Sequence, residues 1–550
     1  MQTRRNRRSR WGLVLPILGV FACAALAIGI AIISTILSED DPDENSNGNT
    51  LVYGLTLLPS GFDPHRNSSA ELGLPMYSVY DTLVYRHPQT KAFVAGLAES
   101  WDISSDGRIY TFHLRQDVKF HDDTPFNADA VGVTIDRILN PETRSQKAIA
   151  LLGPYFLGYV ILDPYTIEFQ LSQPFTPLLD GLSQPYLGIA SPTALANTND
   201  NTYQFHQVGT GPYRMVEYVP EDRLVLERNH DYAWGPPYYA QPTDQSIERV
   251  IFRFYESPPT RRIGLEAGDV DVVGELPPTD AELLLRNQDF RVQAQPIPGQ
   301  PLQYYFNTQR FPTDDLRFRQ ALLFATNREA IVGTVFFDQF SPTAYGPISA
   351  STLYYDPMVQ DLYPYSAERA RDLFESAGYT DSDNDGFLDK GGIPIELTIV
   401  SMDFGFLPEV NQLIQSQWAE IGIQVNFMSA AGFPDLIAIA QSGEFHLLAL
   451  NDFGVDPSFL NRYYLSSGDS NWSRYSDPEL DNWLIEANQS TDNTTRQQLY
   501  ANVQKRIMDQ ALILPIRDYV NLVGYHTSVD GLIFAAQGWW PLLPNLVQRD

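Results

Sequence analysis

Cysteine is nearly absent from this chain of 550 residues: Cys23 is the only one. The chain can form no internal disulfide and no thiolate metal site, so its stability has to come from core burial. Positive charge is also scarce. Lys and Arg number 37 against 67 Asp and Glu, a formal net charge of −30. A duplex-binding protein needs a basic surface to displace counterions, so nucleic acid is excluded as a partner. The acidity is read as the solubility of an exposed domain.

Catalytic signatures are missing too. The sequence has no HExxH, no GxSxG elbow and no P-loop. Gly209-Thr210-Gly211 lacks the third glycine of a dinucleotide loop and runs through Pro212-Tyr213 into a strand. The eight histidines are scattered; the closest pair, His113 and His121, reads as structural. No pattern pairs two carboxylates for general acid/base work. An enzyme, for instance a glycosidase, is the least favoured class, and no cofactor is implied.

What is present is a folded chain with a distinctive N-terminus. Apolar residues make up 43%, too many for a disordered polymer, and the length predicts two or three domains. Five arginines between Arg4 and Arg10 precede an uncharged apolar run, Trp11–Leu37. As a helix that run would span about 40 Å, enough for a hydrocarbon core of about 30 Å with tilt. It predicts an uncleaved transmembrane anchor at 11–37, with residues 1–10 as a cytoplasmic basic tail and everything after it extracytoplasmic. The competing expectation is a lipoprotein signal ending at Cys23. Residues 38–50, acidic and polar, read as a flexible linker.

Beyond the linker the hydrophobic periodicity changes once. Tyr110, Phe112 and Leu114 share one strand face, Ile167, Phe169 and Leu171 another, and Ala128–Leu139 reads as a helix beside them. Tyr213–Tyr218 and Leu224–Leu226 flank Pro220-Glu221-Asp222 as a hairpin. After about Phe306, strands alternate with helices. Ser366 is a predicted N-cap and Gly378 a C-terminal stop. A strand through Ile395–Ile399, a helix from Pro408 to Ile421, a strand at Ile423–Phe427, a helix around Pro434–Gln441 and a strand at Phe445–Leu450 form two successive βαβ units. These predict a parallel sheet.

In open α/β sheets ligands bind beyond the carboxyl ends of the strands. The candidate site residues are therefore Met402, Asp403 and Phe404 in one loop and Asn451, Asp452, Phe453 and Asp456 in the next; the bland alternative is that the phenylalanines close the edge of the core. A separate stretch, Asp381-Ser382-Asp383-Asn384-Asp385-Gly386, matches the first half of a calcium loop through Asp381, Asp383 and Asp385. Gly392 stands where the bidentate Glu belongs, so the competing reading is an Asx-rich turn. Any calcium would be structural.

Several blocks together resemble one family. They are Leu97–Val131 (LAESWDISSDGRIYTFHLRQDVKFHDDTPFNADAV), Gly209-Thr210-Gly211-Pro212-Tyr213, Leu226-Glu227-Arg228-Asn229, Leu265-Glu266-Ala267-Gly268-Asp269, Phe306-Asn307, Arg319-Gln320-Ala321-Leu322 and Trp418–Ile423. The resemblance is to the peptide/nickel-type extracellular solute-binding proteins that feed ABC importers, family 5. Asp123 and Ala130 depart from the family's usual Gly and Asp. The resemblance implies an α/β, bilobal, type II periplasmic-binding-protein-like fold with an extra β-rich subdomain, here after the N-terminal transmembrane helix. By that analogy 51–80, 205–305 and 515–550 form the core of lobe I, 81–204 its extra subdomain, and 306–514 lobe II.

The function implied is capture of a solute between the lobes and delivery to the ABC permease transmembrane subunits by a monomer held at the cell membrane. A peptide is the expected cargo. An oligosaccharide is the alternative solute, and a sensor or adhesion ectodomain the alternative role. Dipeptide-binding members hold the peptide amine with an aspartate at the position of Phe453 and the carboxylate with an arginine at the position of Ser401. This chain has neither, though Asp452 is one residue away.

Overall fold

A computed structural model describes residues 49–58, 61–199 and 201–549. The expected anchor, Cys23 and the linker as far as Gly48 lie outside the described residues. Among the described residues no helix is long and apolar enough to cross a membrane.

Thr50, assigned to the linker from sequence, already opens a strand, Thr50–Leu55. That strand lies inside a seven-stranded mixed sheet. It runs parallel to Arg249–Phe254 on one side and Val272–Val273 on the other. The hairpin Tyr213–Val219/Arg223–Arg228 extends the first side, with Glu221 in the left-handed region at the turn. Val520–His526 and Phe290–Pro296 extend the second side, antiparallel to one another.

The same body holds a four-stranded antiparallel sheet: Ala98–Ile103, Ile109–Leu114, Thr166–Leu171 and Phe156–Asp163, in that spatial order. Tyr110, Phe112, Leu114, Ile167, Phe169 and Leu171 are all buried, and Phe112 meets Phe169 edge-on at 5.2 Å. The neighbouring helix is Ala128–Leu139, as its periodicity predicts, and Asn127 caps it by accepting from the Ala130 amide. Both sheets share one hydrophobic core. The Leu97–Val131 block belongs here. His121 ties it to the 209–213 block, with its amide donating to Gly209 O and its ring on Gly211 O at 2.9 Å.

A second core is built wholly from residues 302–516 around a five-stranded sheet. Glu396–Met402 runs parallel to both Gln424–Ala430 and Leu447–Ala449, as the two βαβ units require. Leu302–Phe306 and Ile513–Arg517 complete the sheet in antiparallel register, making it mixed. The helix between the first two strands is Leu407–Ala419, and Trp418 buries its ring while donating to Thr326 Oγ1 at 3.0 Å. Ser366 caps the helix Ala367–Ser376, and Gly378 follows it at φ +83°.

The chain passes between the two bodies at two adjacent places, residues 297–301 and 518–519, where the Ile297 amide donates to Tyr519 O. Strand pairing thus moves the crossings away from the 305/306 and 514/515 boundaries drawn from sequence. Leu302–Tyr305 and Pro515–Arg517 hydrogen-bond within the second body's sheet.

Candidate functional site between the two bodies

Val400 is in register with Leu448 in the parallel pair, and carrying that register forward sets Asp403 level with Asn451. Leu302–Phe306 starts, and Ile513–Arg517 ends, at this same edge of the sheet. Both ligand-loop candidates and both crossings therefore share one edge, facing the other body.

The 451–456 loop is held against the crossings. Gln300 N donates to Asp452 O at 2.7 Å, and Gly299 forms an isolated bridge with Phe453. Gly299 has φ +140°, and a Cβ there would stand 2.5 Å from Asp452 O and 2.6 Å from Phe453 Cα. Only glycine permits that approach. Tyr519, on the second crossing, donates its hydroxyl to Asn451 Oδ1 at 3.1 Å. The Phe453 ring stands edge-on to Tyr519 at 5.0 Å and to Trp539 at 5.3 Å. Trp539 packs on the first core, so Phe453 touches both bodies. Gly299, Gln300, Tyr519 and Trp539 carry no local pattern that marks them in the sequence.

Each Asp452 oxygen accepts one bond, from Phe453 N at 2.8 Å and from Tyr463 OH at 3.2 Å. Asp456 is committed differently. Its carboxylate is bidentate to Arg496, at 2.8 and 2.9 Å, and accepts from Ser458 N at 3.0 Å. Burial pushes the Asp456 carboxyl up, but Arg496, its hydrogen bonds and Arg86 outweigh that and hold it below the usual carboxylate range. The carboxylate is almost fully enclosed and faces arginines.

In the other loop Met402 is half-buried on the second core, whereas Asp403 is exposed and Phe404 keeps 64% of its surface exposed. Phe406 turns inward onto Phe336 at 5.5 Å. Ser401 is buried and accepts from Asn411, which in turn accepts from Tyr304 OH.

One cation at this edge makes no close ion pair among the described residues. Arg517 ends its strand with the guanidinium 4.0 Å from the Phe336 ring and 4.6 Å from Tyr519. Its Nη1 donates to Ser341 Oγ at 3.2 Å, while its buried Nε has no partner. No carboxylate among the described residues lies within ion-pair distance, and burial lowers this arginine to about 10. Next to it, burial raises the Asp518 carboxyl to about 7, although it accepts from Ala350 N at 2.9 Å and feels the charge of Arg517.

Away from the cleft, Asp381, Asp383 and Asp385 bring carboxylate oxygens within 4.8 Å of one another, all exposed. Those oxygens accept the loop's own amides. Asp381 takes Asp385 N and Gly386 N, Asp383 takes Asp385 N, and Asp385 takes Phe387 N. The loop closes as an Asx-rich turn from its own groups.

Two sheet-built bodies joined by paired crossings, with a loop-lined edge between them, give the chain a bilobal architecture. The comparisons agree. Residues 92–474 match the family described as bacterial extracellular solute-binding proteins, family 5, middle region. The chain belongs to this family. It is an extracytoplasmic solute-binding protein of the ABC-transporter type and not an enzyme.

Among curated relatives, the dipeptide-binding protein of Escherichia coli is 27% identical over 497 residues, covering 85% of this chain and 89% of the relative. Heme-binding protein A of Haemophilus influenzae is 28% identical over 538 residues, covering 90% and 92%. Among solved structures, NikA from Brucella suis in complex with Fe(III)-EDTA superposes with a TM-score of 0.80 at 23% identity, over 91% of this chain and all of that one.

Proposed function

We propose that the chain is a membrane-tethered receptor that captures a short peptide between its two bodies and passes it to the transmembrane subunits of an ABC permease. The observation that carries the cargo reading is the pair of charges at the cleft edge. Asp452 keeps acceptor capacity for an amine, and Arg517 forms no close ion pair and leaves its Nε without a partner. Their strands are separated by Leu302–Phe306, so the backbones stand two strand spacings apart, roughly 10 Å, about three extended residues. A relative named for dipeptide binding supports the same class. The tether rests on the Trp11–Leu37 run and its preceding arginines. A monomer suffices, because both walls of the cleft come from one chain.

A second reading is favoured by the Phe453–Tyr519–Trp539 cluster: an uncharged or aromatic solute such as an oligosaccharide, stacked on the rings. Native mass spectrometry of the full chain in mild detergent separates the two. A retained peptide of two to four residues is the expected species; a retained sugar or macrocycle would overturn the peptide reading.

A further inference from the structure

Asp456 closes the 451–456 loop and opens the short turn Pro457–Phe459. Arg496, from the same body, already neutralises it. A second arginine comes from across the cleft. Arg86 belongs to the first body, in the strand Val84–Arg86, and its Nη2 lies 3.9 Å from Asp456 Oδ2. Arg86 also pairs with Asp180 of its own body, donates to Lys91 O at 2.6 Å and lies 4.0 Å over the Phe93 ring.

The Arg86, Asp456 and Arg496 side chains are 1–4% exposed, and Asp180 is 11% exposed. Each arginine therefore has one carboxylate within its own body: Asp180 with Arg86, Asp456 with Arg496. Neither body needs the other for charge balance. The Arg86–Asp456 contact exists only because the bodies meet. Thr176 of the first body makes the companion contacts, its amide donating to Asn488 O and its hydroxyl to Ser490 O, both at 2.8 Å.

We infer that Arg86 is a positioning residue for the ligand loop: by reaching Asp456 across the cleft it fixes the loop's C-terminal end only when the bodies are together. The attraction stabilises the closed arrangement selectively, because Arg86 and Asp456 keep their own partners when the bodies part. Desolvation of both pairs opposes closure, so the cross-cleft contact helps set how much of the population holds the loop in its binding form. That the 451–456 loop receives the solute rests on the function proposed above; the closure step does not.

Hydrogen exchange of the Thr176 amide reports closure directly, because its acceptor is on the other body. The experiment uses the full chain in detergent, with no ligand added, so its outcome is independent of cargo. Arg86→Met leaves Asp180 buried without its partner, so Arg86→Met/Asp180→Asn is the informative variant and removes that penalty. The expected result is Thr176 exchange about tenfold faster in the double variant, with thermal stability near wild type and the Ile109–Leu114 amides unchanged. Arg86→Lys keeps the charge but lacks the fork that serves two carboxylates, and should fall between. Wild-type exchange in the double variant, or a Thr176 amide already unprotected in the wild type, would overturn the inference.

Discussion

At the scale of single residues, the site depends on which charges are already spent. Asp456 stands among the loop carboxylates in sequence, but Arg496, 40 residues later, and Arg86 of the other body both face it. Removing one member of a buried pair strands the other, so Asp456→Ala should cost about 3–5 kcal/mol in urea unfolding. Asp452 keeps acceptor capacity to spare. Calorimetry should show Asp452→Ala weakening a free-amine peptide about tenfold and leaving an N-acetylated one unchanged. Equal affinities would remove Asp452 as an amine partner.

Asp518 gives a pH signature. Burial raises its folded pKa to about 7, above the unfolded carboxylate value, so the folded state holds the extra proton between the two. Its contribution to stability is therefore present at low pH and lost as pH rises from about 4 through 7. Asp518→Asn should flatten stability across that window, read from urea midpoints at several pH values. None of these environments was legible in the sequence, because each partner is set by the meeting of distant strands.

At the scale of elements the sequence was far more readable. Helix Ala128–Leu139, the hairpin around Glu221 and the two βαβ units follow from local periodicity and turn residues, and each appears where that pattern put it. The crossings did not follow. Leu302–Phe306 is buried at every position, as is all of Ile513–Arg517 except its half-buried last residue, and such a strand carries no mark of the sheet it joins. Gly299 was missed for the same reason, since its role is a close approach to residues some 150 positions away. Gly299→Ala should force the 452–453 backbone aside and cost about 1–3 kcal/mol. Thermal unfolding together with loss of retained ligand in native mass spectra would check it.

At the scale of the whole molecule, two bodies meet at one sheet edge, where the proposed solute site lies. The Leu97–Val131 block, which carries the family resemblance, lies in the four-stranded sheet and its surroundings, away from the 451–456 loop. The groups proposed to meet the cargo are Asp452, Phe453, Arg517 and Tyr519, gathered from one loop, a strand end and a crossing. The direct test is hydrogen exchange on the full chain with and without a mixture of tripeptides. The account predicts protection confined to residues 299–302, 451–456, 517–520 and the Thr176 segment. Protection elsewhere, or none with any peptide, would contradict it.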